Sequence, residues 1–483
     1  MNQLKTYIKT SVFTVVVLLA LSSCKKSFLE INPKGKLIAS ATADYNLLLN
    51  NEDLFNIYSS VQVLLSDEVA STETYFSSAP VSQQRTFRWE ADIYDESEDA
   101  SEFSSPLKSL YTYNKIISEV PASEGGTETQ KNAILAEAKA GRAWTYFLLI
   151  NSYGKPYVAA TAPSDPGFPI LRTANVINNA YTRASVQEVY DFIIDDLKSA
   201  IPLLPATVSH RTRMSKAAAE GILAKVYIFM GRFDEALPLL NAAFTDLAGS
   251  SVPVRLYNYN TALAAGGAFY PGSSFSGPAY PLLIDNEESI LARQFNNTWG
   301  GFNNMALLKR ETVELFSPSD LRLQFFSNAP MFETVPFANK MMRRLGPSNC
   351  QFGVLLPELY LLRAECKARL NDGPGAVADL EFLRSNRIAA AGEIPVPNSA
   401  KADRVSLLRF VMDERIREFA LEGFRWYDMR RLSVDPLFTN QQYSHTLFLT
   451  NGGTTIFTLA PERLTLRLPL KVLRMNAGMP ENP

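Results

Sequence analysis

Leu223-Ala224-Lys225-Val226-Tyr227-Ile228-Phe229-Met230-Gly231-Arg232-Phe233-Asp234-Glu235-Ala236-Leu237-Pro238-Leu239-Leu240-Asn241-Ala242-Ala243 reads as a pair of helices folded back about Gly231. Leu223, Ala224 and Tyr227 fall on one helical face before the glycine, and Ala236, Leu240 and Ala243 on one face after it. Small side chains at Ala224 and Ala236 let the two helices approach closely, and Gly231 supplies the turn. The pattern returns at the same offsets in Ala364, Ala376, Leu380 and Leu383, with Lys367 in the place of Tyr227 and Gly373-Pro374-Gly375 as the expected turn. A hairpin of this kind cannot bury its apolar face alone and must stack on neighbours. Two copies therefore predict a TPR-like scaffold.

Helical periodicity extends outward from these hairpins. Ser185 to Ala200 is the clearest segment, with Val186, Val189, Tyr190, Ile193 and Leu197 on one face. Ser185 and Glu188 form a capping box at its start, and Pro202 and Pro205 mark its stop. Helices are also expected over Lys131 to Tyr153, Ser215 to Met230, Asp234 to Ala248, Leu356 to Leu370, Gly375 to Arg387 and Arg404 to Arg431. The fold class that follows is mainly α, with loops and short strands inserted. Ser250 to Cys350 is rich in Gly, Pro, Ser, Asn and aromatic residues, and Glu68 to Ser105 has a similar character. Long loops on a rigid scaffold are where binding sites usually lie.

The N-terminus addresses the compartment. Lys5 and Lys9 precede a short apolar run, Ser11 to Leu21, which is the layout of a secretory signal. The run is about half the roughly 20 apolar residues that a membrane-crossing helix needs. Leu21-Ser22-Ser23-Cys24 closes it as a lipobox, so the expected signal peptide is 1–23 and the expected mature chain is 24–483, starting at a lipidated Cys24. Two or more acyl chains, palmitate among them, at about 0.8 kcal/mol per buried methylene, give stable anchoring without a spanning helix.

Composition removes several functional classes. Lys plus Arg (47) nearly balances Asp plus Glu (49), so no global basic field favours nucleic acid. Beyond Cys24 only Cys350 and Cys366 remain, which excludes a disulfide framework; they are read as buried free thiols, although the sequence leaves a pairing open. The two histidines, His210 and His445, belong to no metal motif, and no nucleophile elbow, P-loop or dinucleotide fingerprint occurs. No cofactor and no metal are expected, and no catalytic residue is assigned. The acidic run Asp92, Asp95, Glu96, Glu98, Asp99 and Glu102 lacks the EF-hand pattern and reads first as a solvated charged loop or helix start, with calcium as the alternative.

Two long stretches carry a family resemblance. Ala133-Ile134-Leu135-Ala136-Glu137-Ala138-Lys139-Ala140-Gly141-Arg142-Ala143-Trp144-Thr145-Tyr146-Phe147 with Tyr153-Gly154-Lys155-Pro156-Tyr157, and Asp413-Glu414-Arg415-Ile416-Arg417-Glu418-Phe419-Ala420-Leu421-Glu422-Gly423-Phe424-Arg425-Trp426-Tyr427-Asp428-Met429-Arg430-Arg431, resemble the signatures of SusD/RagB proteins. Cys24-Lys25-Lys26-Ser27-Phe28-Leu29-Glu30 and the closing Leu468-Pro469-Leu470 and Asn482-Pro483 fit the same pattern. Phe424 and Gly141 depart from it, standing where His and a larger apolar residue are common.

The resemblance implies an outer-membrane lipoprotein, facing the cell exterior, that binds oligosaccharides and delivers them to a SusC-like TonB-dependent transporter without acting as an enzyme. Alternatives are a peptide ligand, as in RagB-like members, a surface glycosidase, or a TPR adaptor that binds only protein. A glycosidase needs two carboxylates about 5 Å or about 6.5–9.5 Å apart, and the sequence singles out no such pair. The charges of the 413–431 stretch are read as ion-pair ladders along one helix, with Leu408, Met412, Ile416, Phe419 and Gly423 as its buried stripe.

A sugar offers an apolar C–H face for an aromatic ring and hydroxyls for polar partners. Gln294 to Asn304 provides both, so Trp299 is the first expected ligand contact, with Asn296 and Asn297 beside it. Trp89, Tyr75 and Tyr270 follow.

Overall fold

A computed structural model describes residues 39–483 apart from 58, 176–180, 272–276, 300–302, 348 and 440. The expected signal peptide and Cys24 lie outside the described residues.

Among the described residues nine long helices make the scaffold: α1 (Ser101–Glu119), α2 (Glu128–Tyr153), α3 (Val186–Ala200), α4 (Lys216–Phe229), α5 (Phe233–Leu247), α6 (Leu356–Arg369), α7 (Gly373–Ser385), α8 (Arg404–Glu418) and α9 (Phe424–Leu432). Their starts follow local chemistry. Thr127 with Gln130 and Ser185 with Glu188 form capping boxes at α2 and α3, and Ser215 and Asp372 accept backbone N–H groups at α4 and α7.

The two hairpins are α4/α5 and α6/α7. Ala224, Ala236, Leu240 and Ala243 in the first, and Ala364, Ala376, Leu380 and Leu383 in the second, are all fully buried. The turns also correspond, since Gly231 takes φ +75° and Asn371, at the matching offset, takes φ +66°. Asn371, and not the Gly373–Gly375 run, turns the second hairpin; Gly373 already belongs to α7. Asparagine tolerates this left-handed backbone better than other side chains with a Cβ. α5 packs directly on α6. The hairpins are therefore neighbours in the stack, and the residues between them form an insertion looped out of the helical layer.

That insertion builds short strands. β1 (Val69–Thr72), β2 (Ser289–Leu291), β3 (Gln294–Asn296), β4 (Leu307–Leu308), β5 (Phe326–Ser327), β6 (Met342–Arg344), β7 (Asn349–Gln351), β8 (Val354–Leu355), β9 (Ser444–Phe448) and β10 (Thr454–Thr458) are the described strands. Six form one sheet in the order β10-β9-β1-β4-β6-β5, with only the β9–β1 pair parallel. β2 pairs with β8 and β3 with β7. The stretch 68–105 is more ordered than its composition suggests, holding β1, the short helices Glu73–Ser77 and Val81–Phe87, and the start of α1.

Gly141 on α2 has a packing reason. A Cβ there would stand 2.3 Å from the ring of Tyr113, itself 2% exposed on α1, so the larger side chain common at this place has no room.

The expected helix over 404–431 is interrupted. α8 ends at Glu418, Leu421 takes φ +57° and Gly423 φ +83°, and α9 starts in a new direction. The charges do not form an exposed ladder along one helix. They bind other elements from inside: Arg322 donates to Asp320, Glu414 and Glu418 at 2.7–2.9 Å, Arg387 to Glu418 and Glu288, and Arg384 to Glu414. Arg415 and Arg431 both hold Asp428, and Arg431 also holds Glu365 on α6. Glu68 caps the kink from the side, its Oε1 accepting the Leu421 N–H at 2.9 Å. Cys350 and Cys366 are both free and buried.

The acidic run is met by cations from the C-terminal residues. Arg467 reaches Asp92, Lys471 reaches Asp99 and Arg474 reaches Glu96 at 2.5–2.9 Å, while Arg85 holds Asp95. Glu102 is buried and accepts from the Tyr94 and Tyr153 hydroxyls.

Two measurements test this account. Removing one member of a buried ionic cluster strands the others, at about 3–5 kcal/mol; Arg322→Leu should lose that much in urea denaturation. Glu68 has its carboxyl pushed up to about 7, chiefly by burial, with the Asp67 charge adding and the Leu421 N–H opposing. Its contribution is complete below the unfolded value near 4.5 and is lost as pH rises through about 7. Glu68→Gln keeps the acceptor for Leu421, so it should match the parent at pH 4 and exceed it by up to about 3 kcal/mol at pH 8.

Candidate functional site

The tryptophans do not present their rings for stacking. Trp299 is 2% exposed and its Nε1 donates to Ser60 O at 3.1 Å; Trp89 is 4% exposed, donates to Leu65 O and stacks on His445 with ring centroids 3.7 Å apart. Asn297 is buried as well. Its Nδ2 reaches Cys350 Sγ and Leu421 O, and its Oδ1 accepts the Trp299 N–H. The physical reason is common to the three: each polar tip finds a main-chain partner inside, so burial leaves no unmet hydrogen bond. Asn297 ties its loop to the kink between α8 and α9, and the two tryptophans hold theirs to Ser60 and Leu65.

Tyr75 is placed differently. It lies on the short helix Glu73–Ser77 directly after β1, half-buried, and its hydroxyl faces Glu333 Oε1 at 3.5 Å. Burial, then the Glu333 charge, raise the phenol pKa, so the hydroxyl stays protonated and able to donate. Opposite it runs Pro330-Met331-Phe332-Glu333-Thr334-Val335-Pro336. The Glu333 N–H bonds back to Pro330 O at 3.2 Å, making a turn whose third residue is Phe332. Phe332 takes φ +63° there and is 83% exposed, with Val335 71% exposed beside it in sequence.

This geometry is costly on two counts. The left-handed backbone disfavours a Cβ by roughly 1–2 kcal/mol, and the position in such a turn ordinarily goes to glycine. A large apolar ring held out in water gains nothing from burial. Backbone outliers that the surroundings hold in place concentrate at binding sites.

The turn is firmly rooted. Phe337 and Met341, just beyond it, pack with Ala70 on β1 and Leu307 on β4, and Tyr75 and Phe448 lie against the same small cluster. The Phe337 N–H bonds to Asn328 O at 2.7 Å, and Arg343 Nε donates to Ala329 O at 2.9 Å. On the other side the Thr450 N–H and hydroxyl both donate to Glu73 Oε2, tying the β9–β10 turn to the Tyr75 helix. The face so formed offers an exposed ring, a phenol and a carboxylate on a sheet-anchored turn. That is the donor, acceptor and apolar set that a sugar requires.

Of the expected contacts, then, the structure places only Tyr75 on this face. Phe332 and Glu333 escape periodicity analysis because they sit in a turn. The available signal is the bracket of Pro330 and Pro336 around an aromatic in a loop-rich segment. Tyr270 is 49% exposed, and Asn296 is exposed and paired across the ladder with Asn349.

Among the described residues no helix is long and apolar enough to cross a membrane. Residues 27–228 match the profile of a SusD-like family described as starch-binding and associating with the outer membrane, and residues 338–461 match the profile of the SusD family. The chain is 24% identical over 480 residues to SusD-like protein P2 of Formosa agariphila, covering 88% of this chain and 91% of that one. It superposes on a SusD superfamily protein from Bacteroides vulgatus with a TM-score of 0.69 at 19% identity, covering 92% and 99% of the two chains. A laminarin-binding SusD-like protein superposes with a TM-score of 0.62 at 18% identity, over 92% of this chain and all of the other. With both signature regions matched and the helical scaffold shared, the chain belongs to the SusD/RagB family.

Proposed function

We propose that the protein captures oligosaccharides on the Tyr75–Phe332 face and passes them to a SusC-like TonB-dependent transporter, held at the outer membrane by a lipid on Cys24. The observation that carries the reading is Phe332, an aromatic ring held out in water by a strained turn that the sheet anchors. Family membership and the laminarin-binding neighbour support glycan over peptide. The reading includes no chemical step. A sugar ring stacks on Phe332, its hydroxyls meet Tyr75 and Glu333, and release to the transporter follows from the modest affinity of a shallow site. Residues 1–23 act as the signal peptide in this reading, and 24–483 form the mature protein.

The decisive variant is Phe332→Gly, because glycine suits φ +63° while removing the ring. Its melting temperature should equal or exceed the parent's, while calorimetric binding of the oligosaccharide selected from a panel should weaken at least ten-fold. Unchanged binding would remove Phe332 from the site; release of new reducing ends during incubation would point to a hydrolase. Affinity purification of the tagged full-length chain from native outer membranes should recover a TonB-dependent transporter, and labelled palmitate should be incorporated in the parent but not in Cys24→Ala.

A further inference from the structure

A second concavity shares no residue with the Tyr75–Phe332 face. It is a narrow cleft with a cavity volume of about 80 Å³. One wall consists of the half-buried Tyr259 and Tyr280, backed by the buried Phe269 and Phe325, with neighbouring ring centroids 5.3–6.1 Å apart. Facing them, Arg344 of β6 and Glu422 of the kink between α8 and α9 form an ion pair.

The polar side is incompletely satisfied. Arg344 is 5% exposed; its Nη1 donates to Ala420 O at 2.9 Å and its Nη2 to Glu422 Oε1, but its Nε is buried without a partner. A buried donor left unpaired costs about 1–3 kcal/mol, and a ligand hydroxyl would recover it. Glu422 makes its only ion pair among the described residues with Arg344, and burial, with Glu418 and Glu288 nearby, raises its pKa despite that partner. Asn349, exposed on β7, and Gln351, whose Oε1 accepts from the Ser289 hydroxyl, also line the cleft. Tyr270 and Asn296, both expected from sequence as ligand contacts, do not line this cleft; each neighbours a residue that does, Phe269 along the chain and Asn349 across the ladder.

The charges define the occupant. The lining carries three arginines, Arg322, Arg344 and Arg417, and three glutamates, Glu288, Glu418 and Glu422, so neither a cation nor an anion gains net attraction. An aromatic wall opposite balanced charges suits a neutral ring with an apolar face and several hydroxyls. We propose that this cleft is a second saccharide site, taking one neutral sugar ring with its C–H face on the aromatic wall and its hydroxyls between Glu422 and Arg344 Nε. The site takes a monosaccharide by itself, so it stands independently of longer glycans on the Phe332 face.

The test is titration of the full-length chain in detergent with free neutral hexoses and pentoses, followed by saturation-transfer NMR and calorimetry. The matching uronic acid, hexosamine and aromatic amino acids serve as charged or zwitterionic comparisons. A neutral hexose should bind in the millimolar range or tighter, and at least ten-fold better than its charged counterparts. Glu422→Gln should weaken it ten-fold or more, and Phe332→Gly should leave it unchanged. Should Glu422→Gln fold poorly, Asn349→Trp fills the mouth from an exposed strand and should abolish hexose binding at an unchanged melting temperature. Absence of hexose binding, retention of binding in Asn349→Trp, preference for an amino acid, or loss in Phe332→Gly would each overturn the proposal. Loss of oligosaccharide binding in Phe332→Gly with hexose binding intact would separate the two sites.

Discussion

Glu414 is the point on which the architecture turns. One fully buried carboxylate accepts from Arg322, Arg384 and Arg417, and these three come from the insertion, from α7 and from its own helix. Together they hold its pKa well below the usual carboxylate range, against the opposing effect of burial. Glu418 extends the cluster to Arg387, and through Arg387 to Glu288 at the β2 end of the insertion. An apolar core of equal volume would be as stable or more so, but it would not specify which loop meets which helix. Here the ionic contacts act as a register, because each guanidinium fits only where its carboxylates already stand.

That register explains how a hundred-residue insertion with short strands keeps a defined shape. Its core contacts are aromatic and its strands are two or three residues long, too short to be stable alone. The arginines tie it to α7 and α8, and the buried Trp299 ties it to the segment at Ser60. Trp299 bonds to Ser60, and Asn297 bonds to Leu421 within the kink. The kink itself is set by two left-handed residues, of which Gly423 tolerates φ +83° and Leu421 is held by Glu68.

The face proposed to bind is consequently a product of rigidity, not of disorder. The sheet that carries it contains strands from the beginning, middle and end of the chain, β1, β4 to β6, and β9 to β10. Three distant segments therefore converge on Tyr75, Phe332 and Thr450.

Helix positions, the hairpin repeat, the absence of a disulfide framework and the family were legible in the sequence, because helical periodicity, capping boxes and long signature stretches are local properties. Tyr75 was legible as an aromatic in a loop-rich stretch. What local pattern cannot encode is the solvent exposure of a loop aromatic: Trp299 and Trp89 look like stacking platforms until their indole nitrogens find Ser60 O and Leu65 O, more than two hundred and about twenty residues away. Phe332 has no periodicity to mark it, and its exposure follows from a turn fixed by Phe337 and Met341 on a sheet assembled from three parts of the chain. The chain by itself determined the helical scaffold and its repeat. Tertiary structure alone decided which aromatics face water and which charges face inward, since both depend on partners distant in sequence.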